Sequence, residues 1–550
     1  MHLTPRYGQM AMVAIAAAFA APALYAQSLD LNTAPDKLAA ETLGKQPGSV
    51  TVGVARGAGE VFGAAGDTGA EAGKPVLYEI GSISKVFTGL LLAQAVEKGE
   101  LSLDDNLGKL LAGEVTMQPE VAAITLRQLV THSSCLPRLP EGKWTDEMRD
   151  PYRDVSRAML WDALAKTKLK QSPPCAGDYS NFGFAVLGET LSVRYKAPWE
   201  TLVIERIAAP LEMKDTQQHL GDKQARFARP WRGTKEWSSW QFQSFAGAGA
   251  LRSTAPDMLK FSRAMLAGRK GPLGAAAERA LQPLGRMAGT EIGYAVMMRG
   301  PAERRTYFHG GATGAYKAHW MILPDTGEAL IVLASNSAAD IEKVSNAVIS
   351  ERYKLAKPST PPVALANPGD YNGVYRVSPK LAMTFVAQNG TVYGRMTGQL
   401  FNALTPSATD TFIHERFGAE FSFRREGGKV VSVTLRQRGN TMEGKRSDEP
   451  VPAQAMMDGV TQEAFGGRYR MIEDGTPAEF EVRVRDGQLL IKLEQQPMIG
   501  VQPVPGKPDR FAYDVVDAEV QFERGEDKKI VALLLHQNGK VLRAERQAAQ

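Results

Sequence analysis

The sequence predicts an α/β (α+β) domain, an antiparallel sheet flanked by helices, followed by two small antiparallel β-barrels. Three observations predict it. Apolar residues at helical spacing after Gly81 and after Asn181 accompany a strand–turn–strand pattern that follows His309. After about residue 355 the chain turns to alternating residues with Asn-Gly and Asp-Gly turns. That later part also repeats itself once. At 550 residues the chain is too long for a single core.

In chain order, Arg6 precedes an apolar run from Met10 to Ala23, followed by Leu24-Tyr25-Ala26-Gln27. This reads as a secretory signal peptide over residues 1–26. The run is too short for a transmembrane helix, and no Cys follows the cleavage region to take a lipid anchor. The expected mature chain is exported and periplasmic, with no stable membrane span. The α/β domain is assigned to residues 27–355, with its first strands near Val50 to Gly57. Ile83, Val86, Phe87, Leu90, Leu91 and Val96 give a helix that stops at Gly99. Pro173-Pro174-Cys175-Ala176-Gly177-Asp178 is a turn-rich lead-in to Tyr179-Ser180-Asn181 and a second apolar run. His309-Gly310-Gly311 leads into a hairpin turning at Asp325-Thr326-Gly327.

A linker is expected at 356–366, where Lys357-Pro358-Ser359-Thr360-Pro361-Pro362 stands. Barrels are assigned to 367–450 and 461–550. Tyr371-Asn372-Gly373-Val374-Tyr375-Arg376 answers Phe465-Gly466-Gly467-Arg468-Tyr469-Arg470, and Asn389-Gly390 answers Asp486-Gly487. Each repeat is long enough for a closed barrel, which buries its edges.

Three strings carry chemistry. In Ser82-Ile83-Ser84-Lys85 a serine sits at a helix start with a lysine one turn on, on the same face. The backbone N–H of Ser82, at a helix N-terminus, is available to an oxyanion, and Lys85 is within reach of the serine proton. Alone, the tetrapeptide reads equally as a capping serine and a solvated lysine on an amphipathic helix. Tyr179 presents a phenol, a poor base unless cations depress its pKa; Lys85 and His309 are the candidates. His309-Gly310-Gly311-Ala312 offers glycines that let a substrate approach the backbone, an edge that can pair with an extended substrate, and the Ala312 N–H as second oxyanion donor. Together the strings describe acyl transfer through a covalent serine intermediate.

With these residues in hand, the stretch from Ser49 to Tyr353 resembles the serine β-lactamases and penicillin-recognising enzymes, in the class C-like branch with Tyr-x-Asn as second motif. Leu101-Ser102-Leu103-Asp104-Asp105, the run from Ile124 to Ser134, and Leu251-Arg252-Ser253-Thr254-Ala255-Pro256-Asp257 support it. The resemblance implies a β-lactamase/transpeptidase-like fold, Ser82 as nucleophile and Lys85 with Tyr179 as the proton-handling pair. It implies Asn181 on the substrate's amide carbonyl, and the N–H groups of Ser82 and Ala312 as oxyanion hole. One departure stands out: many relatives carry Lys-Thr-Gly or Lys-Ser-Gly where this chain has His309-Gly310-Gly311. A histidine there is cationic only part of the time near neutral pH, and Gly310 brings no hydroxyl. The variant resembles D-aminopeptidases, some D,D-peptidases and β-lactamase-like esterases. The C-terminal repeats resemble the paired barrels of D-aminopeptidase-like enzymes, either as stabilising appendages or as donors of a loop that narrows the cleft.

Related enzymes usually have Gly at or beside Cys135 and Cys175. The chain has no other Cys, so a single Cys135–Cys175 disulfide is expected in an oxidising compartment. The net charge is +5, or +4 without the leader, too mild to imply nucleic acid as a partner. The seven His are scattered without metal-ligand spacing, and no phosphate-binding glycine loop is present. No metal and no organic cofactor is implied. The expected partner is a small-molecule or peptidoglycan-type peptide substrate, and the expected activity is that of an exported serine hydrolase on β-lactams or D-amino-acid peptides and amides. A carboxylesterase is the alternative within the enzymes. A penicillin-binding sensor that acylates without turnover is the alternative outside them.

Overall fold

The computed structural model describes residues 35–547 apart from 142–148, 176–178, 288–289, 354–364, 366, 380, 415–417, 453, 458, 474–475, 495, 497, 505 and 538. The leader at 1–26, the linker at 356–366 save Leu365, and Ala176-Gly177-Asp178 therefore lie outside the described residues. The chain divides into two compact units, Tyr25–Tyr353 and a second built from Lys354–Gln437 with Thr441–Gln550. No helix among the described residues is long and apolar enough to cross a membrane.

The first unit is built on one sheet. Its strands are β1 (Ser49–Arg56), β2 (Gly59–Gly66), β3 (Gly285–Met287), β4 (Thr290–Ile292), β5 (Met297–Arg299), β6 (Thr306–Ala312), β7 (Lys317–Leu323) and β8 (Glu328–Ala334). They pair antiparallel in the order β2-β1-β8-β7-β6-β5-β4-β3. β1 runs beside β8 in register from Val50↔Ala334 to Ala55↔Ala329, so the first and last strands lie side by side. The expected turn joins β7 to β8, with Gly327 at φ +66°. The period of two then sorts side chains by face. Ala318, Trp320, Ile322, Ile331 and Leu333 join the larger core, with residues of α2 (Ser84–Glu97), α3 (Asn181–Tyr195) and α4 (Ala255–Ala267). Val50, Val52, Met321, Leu330 and Val332 join a second core with Leu38 of α1 (Pro35–Leu43) and Val344 of α5 (Ile341–Arg352).

The central helix is not amphipathic. In α2 every residue from Ser84 to Ala93 is buried, so its polar side chains must find partners inside the protein. They do so on one segment. Ser84 Oγ accepts the N–H of Leu251 at 3.0 Å, and Thr88 Oγ1 donates to the carbonyl of Gly247 at 2.8 Å. Lys85 donates to the carbonyl of Ala248 at 2.6 Å. The spacing of three and four puts these groups along one stripe of the helix, pinning residues 247–251 against it.

The second unit holds the two repeats. Strands from Gly373–Ser378 to Asn440–Ser447 form a nine-stranded sheet. Its two ends are consecutive stretches of one segment. Asn402–Ala403 pairs with Thr391–Met396, and Thr405–Ala408 pairs with Thr411–His414, so the ring closes through the backbone at Leu404. Strands from Gly467–Glu473 to Lys540–Arg546 form a closed barrel, sealed by the Tyr469↔Arg546 register. Equivalent residues do equivalent work. Asn389 and Gly390 have φ +52° and +78°, and Asp486 and Gly487 have +50° and +66°, as a two-residue hairpin turn demands. The Arg446 guanidinium lies 5.9 Å from the Tyr375 ring and donates to the carbonyls of Asn372 and Val430. Arg546 lies 5.9 Å from the Tyr469 ring and donates to those of Gly466 and Ile530. Arg425 pairs with Asp410 as Arg524 pairs with Asp509.

Cys135 and Cys175 are joined in a disulfide, with Cα atoms 5.3 Å apart across 40 residues of sequence. Cys135 has φ +61°, the left-handed region that favours glycine, which fits the glycine usual there in similar chains. The Cys175 N–H donates to the Ser133 carbonyl at 2.9 Å, so the two loops are tied twice. A loop of that length is worth about 4 kcal/mol on the chain-entropy model. Replacing both cysteines by alanine should lower the urea midpoint of the first unfolding transition, and dithiothreitol should do the same to the wild type. Two titratable thiols in the denatured, unreduced chain would refute the bond.

Candidate active site

Ser82 lies in a tight 3₁₀ turn, Gly81–Ile83, immediately before α2, rather than in the α-helix itself. The tightening has a cause. Gly81 holds φ +50°, and a Cβ there would sit 2.8 Å from the Ala312 nitrogen. A Cβ on Gly311 would sit 2.0 Å from the Ile80 carbonyl oxygen and 3.4 Å from the Ser82 nitrogen. Two glycines thus let the end of β6 lie directly on the turn that carries Ser82. This brings the backbone of Ala312 beside that of Gly81 and Ser82, the two N–H donors expected at the oxyanion position.

Lys85 is fully buried. Its Nζ lies 3.1 Å from Ser82 Oγ, 2.8 Å from Asn181 Oδ1 and 2.6 Å from the Ala248 carbonyl. Burial holds its pKa well below the usual lysine value, and the charge of Arg138 pushes in the same direction. The nitrogen also stands 4.8 Å from the centre of the Tyr179 ring.

Tyr179 and Asn181 come from the start of α3. Ser180 caps that helix, accepting the Gly183 N–H at 2.8 Å, and its hydroxyl donates to the Pro137 carbonyl at 2.7 Å. The N–H groups of Asn181 and Phe182 both donate to the Arg138 carbonyl at 3.1 Å. Residues 137–138 therefore hold the turn that aims Tyr179. Below it, the His132 ring stacks on the phenol at 4.3 Å, and His132 Nδ1 accepts the Ser180 N–H at 3.1 Å. The Tyr179 hydroxyl shares a hydrogen bond with the Ser82 side chain. Burial pushes the phenol well above its ordinary pKa, more than the Ser82 contact and the Arg138 charge pull it down. The group is a protonated phenol at neutral pH. Asn181 is held at both ends, since its Nδ2 donates to the Tyr152 hydroxyl at 3.1 Å. Among the described residues the other Nδ2 hydrogen has no partner, so it is available to a ligand.

The β6 residues divide by face. His309 pairs with Trp320 and Gly310 with His319, so His309 and Gly311 share the face of Ser82 while Gly310 points the other way. A Cβ on Gly310 would meet nothing within 4 Å. β6 pairs with β5 only over Thr306–Phe308. Among the described residues no ladder continues along His309–Ala312 on that side, which leaves an edge for an extended ligand. The expectation of a partly cationic His309 is corrected. The ring is buried, and burial first, then the charge of Lys85, lowers its pKa to about 3. His309 is neutral, so it neither depresses the Tyr179 pKa nor stands in for a lysine cation. Its one side-chain hydrogen bond among the described residues is Nδ1 with the Gly310 carbonyl, 2.6 Å.

Ser82, Lys85, Tyr179, Asn181, Gly311 and Ala312 thus converge, with His309 behind them and Gly310 turned away. Tyr152, the Ala248 carbonyl, Arg138 and the ring of His132 were not singled out by sequence reasoning. His132 lay inside a string whose agreement with the family was noted, which is the one signal that pointed at any of them. No group of His, Cys, Asp and Glu among the described residues could hold a metal ion.

The family model "Beta-lactamase" matches residues 36–350. The chain is 30% identical over 192 residues to the D-alanyl-D-alanine-carboxypeptidase/endopeptidase AmpH of Escherichia coli K12, covering 34% of this chain and 49% of that protein. It is 26% identical over 287 residues to penicillin-binding protein 4 of Amycolatopsis lactamdurans, covering 48% and 73%. The chain thus spans about half the length of the first of these curated relatives. Among solved structures, SurE aligns over 75% of this chain and 98% of its own, at 22% identity and a TM-score of 0.47. The β-lactamase/D-alanine carboxypeptidase of Yersinia pestis aligns over 57% and 96%, at 21% identity and a TM-score of 0.49. With a family model covering more than half its length, this chain belongs to the β-lactamase family.

Proposed function

We propose that this chain is an exported, periplasmic serine hydrolase that forms an acyl-enzyme on Ser82 with D-amino-acid peptides, their amides or β-lactams. The reading is carried by one observation, the 3.1 Å contact between Ser82 Oγ and a lysine nitrogen stripped of water. In its amine form Nζ has two hydrogens and one lone pair. Both carbonyl partners, Asn181 Oδ1 and the Ala248 oxygen, can only accept. They take the two hydrogens and leave the lone pair to the one neighbour able to donate, the Ser82 hydroxyl. Lys85 is the base on this argument, and Tyr179, a phenol held protonated, is the acid.

Ser82 Oγ attacks the carbonyl carbon as its proton passes to Lys85 Nζ. The oxyanion faces the N–H groups of Ser82 and Ala312. Tyr179 gives its proton to the leaving nitrogen or oxygen and is left as a phenolate beside the ammonium of Lys85. Water then gives a proton to that phenolate as it attacks the ester, and the departing Ser82 Oγ takes its proton back from Lys85. Asn181 offers its remaining Nδ2 hydrogen to the substrate's amide carbonyl, and the free edge of β6 at His309–Ala312 takes the extended acyl part. Gly311 serves by admitting that approach. Similarity to a D-alanyl-D-alanine-carboxypeptidase/endopeptidase and to a penicillin-binding protein supports this substrate class. A carboxylesterase is the second reading, favoured by the neutral His309, because an ester needs no cation to hold a carboxylate.

The Ser82→Ala variant should lose all covalent labelling by a fluorescent penicillin and all turnover of a D-Ala-D-Ala peptide, a D-amino-acid amide and a nitrophenyl ester. A variant at wild-type rates would sink the assignment. In a chase, quick loss of label marks a lactamase, lasting label a peptidase or sensor trapped by drug, and ester turnover without label an esterase. The pH dependence follows from Lys85. Acylation needs the free amine, so kcat/KM should rise with pH through the lysine's lowered pKa and flatten well below its ordinary value near 10.4. Lys85→Arg, which stays charged, should cut kcat/KM by roughly 10²–10⁴-fold. Activity still climbing at pH 10.5 would exclude a desolvated lysine as base.

A further inference from the structure

The cleft has lost its usual cation and has another in its place. A lysine at position 309 would be a fixed positive charge; His309 is buried and neutral. Lys85 cannot substitute, because it is buried and its nitrogen is fully occupied by Ser82, Asn181 and Ala248. Among the described residues, the remaining cation placed at the site is Arg138. It is exposed, and its guanidinium carbon stands 5.3 Å from the centre of the Tyr179 ring, whose hydroxyl bonds to Ser82. Among the described residues it makes no ion pair, although most arginines of this unit are paired, as Arg157 is with Glu189 and Arg226 with Asp215.

Its backbone is held on both sides. The Arg138 carbonyl takes two N–H groups from the start of α3, the Pro137 carbonyl takes the Ser180 hydroxyl, and the disulfide anchors the loop three residues upstream. The guanidinium, without an ion-pair partner among the described residues, is thus a cationic fork on a held stem beside the Tyr179 ring, able to take a carboxylate through two parallel hydrogen bonds. Its charge is felt by Lys85, Tyr179, Tyr152 and His132.

We propose that Arg138 is the carboxylate-binding residue of this active site, selecting substrates that carry an anionic group beside the scissile bond in place of the cation that position 309 does not supply. This rests on the acyl-transfer reading above, and the test separates the two.

Wild-type protein and the Arg138→Gln variant are compared on one acylated D-Ala-D-Ala peptide as its free acid and as its C-terminal amide. The ratio of kcat/KM for acid over amide should fall by about tenfold or more in Arg138→Gln, the loss expected for a charge-assisted hydrogen bond, and recover in part in Arg138→Lys. Binding of the same two peptides is also measured by calorimetry in Ser82→Ala and in Ser82→Ala/Arg138→Gln. There the acid should lose affinity about tenfold relative to the amide. An equal fall on acid and amide, with a displaced pH profile, would make Arg138 a tuner of Lys85 and Tyr179 and overturn the proposal; so would an unchanged ratio. Should wild-type protein hydrolyse neither peptide, the reading of a peptidase falls, and the calorimetric pair still decides for or against Arg138.

Discussion

The structure turns on a lysine side-chain nitrogen that has been taken out of water. Lys85 lies on a helix buried on all sides, and its nitrogen meets three oxygens from three parts of the chain: Ser82, Asn181 and Ala248. Burying a charge without partners costs several kcal/mol, and a group so placed lowers its pKa instead. That shift makes the lysine useful. A solvated lysine would be protonated at neutral pH, whereas this one is biased toward the amine, and two of its three oxygen partners can only accept.

The same contacts set the architecture around them. Ser84, Lys85 and Thr88 all bond to residues 247–251, so the helix that bears Lys85 also fixes the segment that supplies the Ala248 carbonyl. Asn181 joins the lysine to the start of α3, and the loop ending at Arg138 joins α3 to the disulfide. On the other side, Gly81 and Gly311 bring the sheet edge against the Ser82 turn so closely that neither position has room for a Cβ. Helices, loop and sheet therefore meet at one short turn. Displacing any of them by the width of a methyl group would part the Ala312 backbone from that of Gly81 and Ser82.

Much of this was legible in the sequence, for reasons that differ from part to part. Ile83, Val86, Phe87, Leu90 and Leu91 give a helical period whatever surrounds them, and Asp325-Thr326-Gly327 gives a turn because glycine takes the φ of +66° at low cost. The duplication in the second unit was legible because the same tyrosines, turn glycines and arginines recur at matching places. Illegible were the features that depend on what lies opposite in space. Ser84, Lys85 and Thr88 are polar and suggest a wet helix face; only residues about 160 positions later in the chain make that face dry. Tyr152 reaches Asn181 across 29 residues with no motif to announce it. The charge on His309 was misjudged because a string of letters does not show that a ring is buried.

That misjudgement bears on how the site divides its charges. Taken at face value, three cationic groups near Ser82 would hold the phenol ionised and make it a base. Burial reverses two of them: His309 is neutral, Lys85 is shifted toward the amine, and the Tyr179 phenol keeps its proton. The interior of the site is thus close to neutral and poised for proton transfer, and its lasting positive charge is placed outside, at the exposed Arg138. A neutral interior costs less to keep dry than a charged one, and a proton moves through it between an amine, a hydroxyl and a phenol without creating an isolated buried charge. On the function proposed above, an external cation would meet an anionic substrate before water is expelled, so that recognition and proton transfer make their electrostatic demands in different places.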